Sequence, residues 1–195
     1  MILGILTAGV GFLQAGTGVL LWMRSSSPLL LAYGLDALVG AGRELVLARR
    51  IATRGTADVD APGDRGLFDI IAAAYLFVGA VSLVLGVADL WQGRRPDPSF
   101  LGVALAAISM LLIPIIGSYM KSLAMEVRSS ALKAAAVFTF GNSYLSLVLL
   151  IGLLINLGMQ HWWGEAVGAV VMSPFIIQKG FQILAGNRDA EFGED

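Results

Sequence analysis

Long uncharged stretches constrain this chain more than any other feature of its sequence. Four mostly apolar runs contain no Asp, Glu, Lys or Arg, at residues 1–23, 70–88, 98–120 and 134–160. A transmembrane helix needs about 20 such residues, so these runs can cross a bilayer. Only 14% of the chain is charged, whereas a soluble domain is about 25% charged. We therefore expect an integral membrane protein.

Two further segments are apolar but contain a few charges. They bring the expected fold to an all-α bundle of six transmembrane helices joined by short connections. The predicted spans are residues 1–23, 26–48, 67–90, 98–120, 132–158 and 164–185. A short acidic tail at 187–195 follows, and we expect no soluble domain.

Lys and Arg are unevenly distributed between the predicted loops. Most lie in the second and fourth loops and in the tail, and few lie in the other loops. Loops rich in Lys and Arg stay on the cytoplasmic side. The pattern predicts that both termini are cytoplasmic, and we expect a multi-pass protein of the plasma (inner) membrane.

The composition also excludes several classes of function. The chain has no Cys, one His and a formal net charge of -1, so it offers no thiolate metal site and no basic surface for nucleic acid. The single His, His161, stands beside Trp162 and Trp163, which is typical of a membrane interface. We expect no enzymatic activity and no bound cofactor.

A few polar residues fall inside the predicted spans, where each is costly. Asp36 lies near the middle of the second helix. It is either a cation ligand or proton carrier, or one member of a structural ion pair or interhelical hydrogen bond. Asn142 in the fifth helix is a second ligand or interhelical glue. Lys179, Arg43 and Glu44 lie near cytoplasmic ends, where their side chains can extend to water.

Two other amides fit a purely structural role. Asn156 follows Asn142 by about four helical turns, so that both side chains face the same way. Gln14 lies in the middle of the first span. We expect Asn156 and Gln14 to hold helices together by hydrogen bonds.

Three segments resemble the cation diffusion facilitator family of transporters. They are SPLLLAYGLDALVG from Ser27, SALKAAAVFTFGNSYLSLVLLIGLL from Ser130, and HWWGEAVGAVV from His161. They are similar to the second, fifth and sixth helices of that family. The number and order of the spans agree as well, so the resemblance implies a six-helix transporter fold, a homodimer and proton antiport.

The resemblance also implies which residues lie at the metal site. In the family, two residues spaced four apart on each of two helices converge on one metal ion. Asp36 and Gly40 occupy these positions on the second helix, and Phe138 and Asn142 occupy them on the fifth. Gly40 and Phe138 cannot ligate a metal, so Asp36 and Asn142 are the candidate metal ligands.

This oxygen-only pair changes the expected substrate. Zinc prefers four N, S or O ligands, whereas one carboxylate and one amide suit a partly hydrated Mg²⁺ or Mn²⁺, a monovalent ion or a proton. Backbone carbonyls, Ser143 or Tyr144 are candidates to complete the site. We expect transport of a divalent cation, with Asp36 exchanging its cation for a proton. The alternative is a membrane scaffold or interaction protein that kept the fold and lost the site.

Overall fold

The computed structural model describes residues 2–54, 65–126 and 130–192, and these residues form six α-helices. The helices are α1 (Ile2–Ser25), α2 (Pro28–Arg54), α3 (Arg65–Gln92), α4 (Phe100–Glu126), α5 (Ser130–Met159) and α6 (Trp163–Phe192). The expectation of an all-helical bundle is confirmed. The last helix continues to Phe192, beyond the predicted end of the last span at residue 185.

Five of these helices are long and apolar enough to cross a membrane. The qualifying segments are Gly4–Ser25, Gly66–Gln92, Phe100–Glu126, Ala135–Met159 and Trp163–Ala185. The second helix is of similar length but does not qualify, because charged residues interrupt it. It instead packs against α1, α3, α5 and α6, so that other helices cover its polar groups. Which side of the membrane holds the termini stays a prediction.

Local sequence signals define several helix ends. Ser26, Gly93 and Gln160 adopt positive φ angles of 55°, 64° and 54° directly after α1, α3 and α5, a common way to end a helix. The Ser27 hydroxyl accepts a hydrogen bond from an N–H of α2 at 3.3 Å, and Ser99 does the same for α4 at 3.0 Å. Both serines therefore act as N-caps.

Glycines allow two helix pairs to pack with their backbones in contact. A Cβ atom at Gly86 of α3 would lie 2.9 Å from the Ala166 carbonyl oxygen of α6. A Cβ atom at Gly18 of α1 would lie 2.9 Å from the Cα atom of Gly34 in α2. Small residues permit such close approach in membrane bundles. As a result, α3 packs closely against α6, and α1 packs closely against the polar helix α2.

The buried core lies between α2, α3, α5 and α6. Leu29, Tyr75, Leu149 and Met172 are among its largest fully buried side chains. These same four helices contribute the polar groups described next. The candidate site therefore sits inside the best-packed part of the bundle.

Candidate functional site

Side chains from three helices meet around one buried ammonium group. Lys179 Nζ on α6 lies 2.8 Å from both carboxylate oxygens of Asp36 on α2. It also donates a hydrogen bond of 2.6 Å to Asn142 Oδ1 on α5. A lysine ammonium has three N–H donors, so three acceptors satisfy it completely. The two predicted ligands are thus brought together, with a cation of the protein's own between them.

The sequence-based interpretation of Lys179 was wrong. We expected the side chain to extend to water, but its exposed fraction is 7% and it pairs with Asp36, itself 3% exposed. Lys179 Nζ also lies 5.5 Å from the centre of the Tyr75 ring. An ion pair buried this deeply costs desolvation on both sides, and complete hydrogen bonding offsets that cost. Of the two readings of Asp36, the ion pair is present in this structure.

The two other family ligand positions carry different chemistry. A Cβ atom at Gly40 would lie 3.4 Å from the Tyr75 hydroxyl and 4.0 Å from Asn142 Nδ2, so this position leaves space beside the site. The ring of Phe138 packs under the Arg43 guanidinium, 3.8 Å from its centre. At the two positions where the family pattern has ligands, this chain has open space beside Gly40 and a cation–π contact at Phe138.

A second buried ion pair lies farther along α2. Arg43 Nη1 donates to Glu44 Oε1 at 3.1 Å, and each side chain is 8% exposed. The expectation that both residues extend to water was wrong, because the surrounding helices enclose this part of α2. Glu44 Oε2 is buried and has no hydrogen-bond partner among the described residues.

A small cavity separates this pair from the lysine site. Its volume is about 40 Å³, close to the room that one water molecule takes in the liquid. It is lined by residues of five helices: Thr7, Val10, Gly11, Gln14, Ala37, Gly40, Ala41, Arg43, Glu44, Tyr75, Ile113, Ile116, Phe138, Thr139 and Asn142. Asn142 both lines this cavity and binds Lys179. The cavity therefore reaches the candidate site from the side of Glu44.

The other polar residues in the spans serve as interhelical contacts, as expected. Asn156 Nδ2 donates to the Pro96 carbonyl at 3.1 Å and to Glu165 Oε1. Gln14 Nε2 on α1 donates to Ser109 Oγ on α4 at 2.9 Å. Asn142 and Asn156 both bind residues of α6, in agreement with their predicted common face.

Sequence reasoning missed one buried acid. Glu165, in the first turn of α6, is fully buried, and its Oε2 atom has no hydrogen-bond partner in the part of the chain that the structure describes. The signal was its position two residues after the Trp162–Trp163 pair, at the start of a predicted span. His161 is exposed, donates a hydrogen bond from Nδ1 to the Met159 carbonyl oxygen (2.6 Å) and packs edge-on against Trp163, away from the lysine site.

No group of three or more His, Cys, Asp and Glu side chains that could hold a metal ion occurs among the described residues. At the candidate site, Asp36 is the one carboxylate among the described residues that contacts the ammonium. The donors available to an external cation are therefore oxygens of Asp36 and Asn142, together with the Lys179 nitrogen if it loses a proton. Such a set favours hard cations over zinc.

A family model for the cation efflux transmembrane domain matches residues 4–189. The chain belongs to the cation efflux family. No curated protein matches the chain significantly. The resemblance found in the second, fifth and sixth helices is thereby confirmed, and it extends over all six helices. Members of the cation efflux family, also called cation diffusion facilitators, are transporters rather than enzymes.

Membership gives this bundle its general role. The chain is an integral, multi-pass membrane protein of the cation transporter kind. In its bundle, Lys179 binds both Asp36 and Asn142, the two residues at family ligand positions that carry oxygen donors.

Proposed function

We propose that this cation efflux protein exchanges a cation for protons at a site formed by Asp36 and Asn142, with Lys179 as the proton carrier. The observation that carries the proposal is the three-fold hydrogen bonding of the Lys179 ammonium at this site. An ammonium and a small metal cation seek the same oxygen donors. The site thus has the charge and the ligands to hold one cation. In this structure that cation is the Lys179 ammonium.

The exchange follows from electrostatics. Two positive charges cannot share one buried carboxylate without strong repulsion, since charges interact strongly in a medium of low dielectric constant. A cation that reaches Asp36 therefore drives a proton off Lys179, and the neutral amine remains beside the ion. When the cation leaves, Lys179 takes up a proton and again neutralises Asp36. At the sequence level this role was expected of Asp36 itself, and the proposal moves the proton to its partner.

Charge balance bears on the identity of the cation. The Asp36–Lys179 pair is neutral, and one proton exchanged for one monovalent ion such as Na⁺ or Li⁺ keeps it neutral. A divalent ion leaves one uncompensated buried charge, which is costly, unless a second proton departs. The geometry therefore favours a monovalent ion, while the divalent substrate expected from the family resemblance stays a prediction.

Transport also requires that the site open alternately to the two sides. In secondary transporters one group of helices rocks against another around a site near the midplane. Here the site lies where α2, α5 and α6 meet, so relative movement of α6 against α2 would both open it and separate Lys179 from Asp36. The homodimer implied by the family is part of this proposal and is open to test by crosslinking in membranes.

The test is exchange in proteoliposomes that contain a pH-sensitive dye. Li⁺, Na⁺, K⁺, Mg²⁺, Mn²⁺ and Zn²⁺ are added in turn, and proton movement is recorded with cation uptake. We expect Asp36→Asn to reduce both signals to the level of empty liposomes. Lys179→Gln is expected to leave cation uptake measurable but to abolish its proton movement. Asp97→Asn and Lys121→Gln, which alter exposed residues, serve as matched controls.

The scaffold alternative rests on the same observation, because a permanently bound lysine also explains why two ligand positions are gone. It predicts that none of the six ions moves above the background of empty liposomes. It also predicts that the Lys179→Gln variant binds none of these ions in calorimetric titrations. Both results together would reject transport and support the scaffold function.

A further inference from the structure

We propose that Glu44 is a second cation-binding carboxylate, a stop on the path between the Asp36 site and the end of the bundle where α2 finishes. Its ligand is a hard cation that has lost most of its water. This inference rests on the proposed transport function and adds a site that the family pattern does not contain. Three features of the described structure support it.

The first feature is the carboxylate itself. Glu44 is 6% exposed, and only one of its two oxygens has a partner, namely Arg43 Nη1. The other oxygen, Oε2, is buried without a hydrogen bond among the described residues. A buried carboxylate oxygen without a donor is costly, so its retention in a lipid-embedded helix points to a ligand that is bound for part of the time.

The second feature is the cavity next to this carboxylate. Glu44 lines the cavity of about 40 Å³ at one end, and Asn142 of the lysine site lines the same cavity. Gly40, where the family has a ligand, leaves part of this space open. The volume is enough for at least one water molecule, and polar groups on the wall can replace part of the hydration shell of a cation. Thr139 and Gln14 are polar residues on its wall.

The third feature is the partner of Glu44. Arg43 contacts Glu44 as Lys179 contacts Asp36, so each buried acid on α2 has a basic side chain beside it. Arginine does not lose its proton in proteins, so a cation that binds the free Oε2 atom is repelled by the Arg43 charge unless the guanidinium moves away from Glu44. Its other contact in this region is the Phe138 ring at 3.8 Å, which retains the guanidinium by a cation–π interaction.

The two acids consequently have different roles. At Asp36 the resident cation can give up a proton, so this step couples transport to protons. At Glu44 the resident cation can only move aside, so this step controls access. Phe138, which cannot ligate a metal, holds the Arg43 guanidinium beside Glu44.

The absence of native Cys permits a direct test with single cysteines. Glu44→Cys and, as a matched buried control, Ala106→Cys are placed in liposomes and treated with Ag⁺, a small cation that binds thiolates. The protein is then denatured and labelled with a fluorescent maleimide. We expect Ag⁺ to protect the thiol at position 44 and to leave the thiol at position 106, a fully buried core position, open to labelling.

A second measurement tests the carboxylate in transport. Glu44→Gln is expected to raise the KM for Na⁺ uptake by about 10-fold, the size typical when a supporting group of a metal site is lost. Proton movement per cation should stay unchanged, because Lys179 is intact. The matched control Glu126→Gln alters an exposed acid at the C-terminal end of α4 and should leave KM at the wild-type value.

The outcomes separate this inference from the proposed function. If wild-type protein transports but Ag⁺ protects positions 44 and 106 equally little, the Glu44 site is wrong and the Asp36 site stands. An unchanged KM in folded Glu44→Gln also rejects it. If no ion is transported but Ag⁺ still protects position 44 selectively, the cation site at Glu44 holds and exchange at Asp36 fails.

Discussion

Replacing the Asp36 carboxylate with an amide leaves the Lys179 ammonium buried without a counter-charge and with one acceptor fewer. In the wild-type protein this ammonium has three acceptors, of which Asp36 provides two. Breaking a buried ion pair by removing one partner costs about 3–5 kcal/mol. We therefore expect Asp36→Asn to lower the free energy of unfolding by that amount. Lys179→Met in the wild-type background should cost a similar amount, since Asp36 then keeps its charge without a partner.

The double variant Asp36→Asn/Lys179→Met is expected to recover most of this loss. Neither an unpaired charge nor its desolvation remains in that variant, and apolar or neutral replacements of buried ion pairs are often tolerated. The coupling free energy from the double-mutant cycle should therefore be about 2 kcal/mol or more. It is measured by denaturant unfolding of the purified protein in detergent, with helix content as the signal.

An ion pair with an exposed arginine provides the control for this cycle. Arg94 and Asp89 lie 3.9 Å apart, and the Arg94 side chain is 66% exposed. Because solvent screens such pairs, Arg94→Gln should change the free energy of unfolding by less than about 1 kcal/mol. If the effects of Asp36→Asn and Lys179→Met are additive, with a coupling free energy below about 0.5 kcal/mol, the two side chains do not pair. This result would reject the proposed role of Lys179 as proton carrier.

Substitutions at three further positions test other parts of the structure. Gly86→Val should lower the free energy of unfolding by about 1–3 kcal/mol, because the new Cβ would meet a backbone carbonyl of α6 at 2.9 Å; an unchanged Tm would refute the close contact between α3 and α6. Phe138→Leu should cost about 1 kcal/mol by loss of the contact with Arg43, whereas Phe138→Trp should retain stability in the same unfolding assay. Glu165→Leu should cost about 1–3 kcal/mol because Asn156 loses an acceptor, and Glu165→Gln, which keeps that acceptor, should cost clearly less.

The helices could be predicted from the sequence because the bilayer imposes a simple rule. Residues 98–120 and 134–160 are uncharged over the thickness of a membrane, and α4 and α5 cover them. The second helix was harder, since Asp36, Arg43 and Glu44 lower its hydropathy. It was still found, because a stretch of apolar residues surrounds each charge.

The composition of the site could be predicted only in part. The spacing of Asp36 and Asn142 relative to the family pattern identified two of its members. Lys179 could not be placed, because its position depends on how α6 is rotated and shifted against α2. The position of Lys179 near the predicted end of a span made an extended, water-facing side chain the simpler expectation, and the packing of three helices decided otherwise.

Glu44 illustrates the same limit. Glu44 stands beside Arg43 and is followed by only a short apolar stretch, Leu45, Val46 and Leu47. Two charges this close to the predicted end of a span suggest side chains that reach water. In the structure α2 continues to Arg54, and neighbouring helices cover the pair. Whether such a pair faces water or the interior is set by neighbours that are distant in sequence.

In the proposed exchange, Lys179 acts on the site as a tethered competitor for Asp36, because it is covalently attached to the protein. A tethered group has an effective local concentration in the millimolar range or higher, and it never diffuses away. A free cation must then outcompete it, so the apparent affinity is the intrinsic affinity multiplied by the fraction of time that the site is free of the lysine. The same competition speeds release, since the ammonium refills the site as the ion departs. A protein built in this way is suited to moving an abundant ion quickly rather than to scavenging a scarce one.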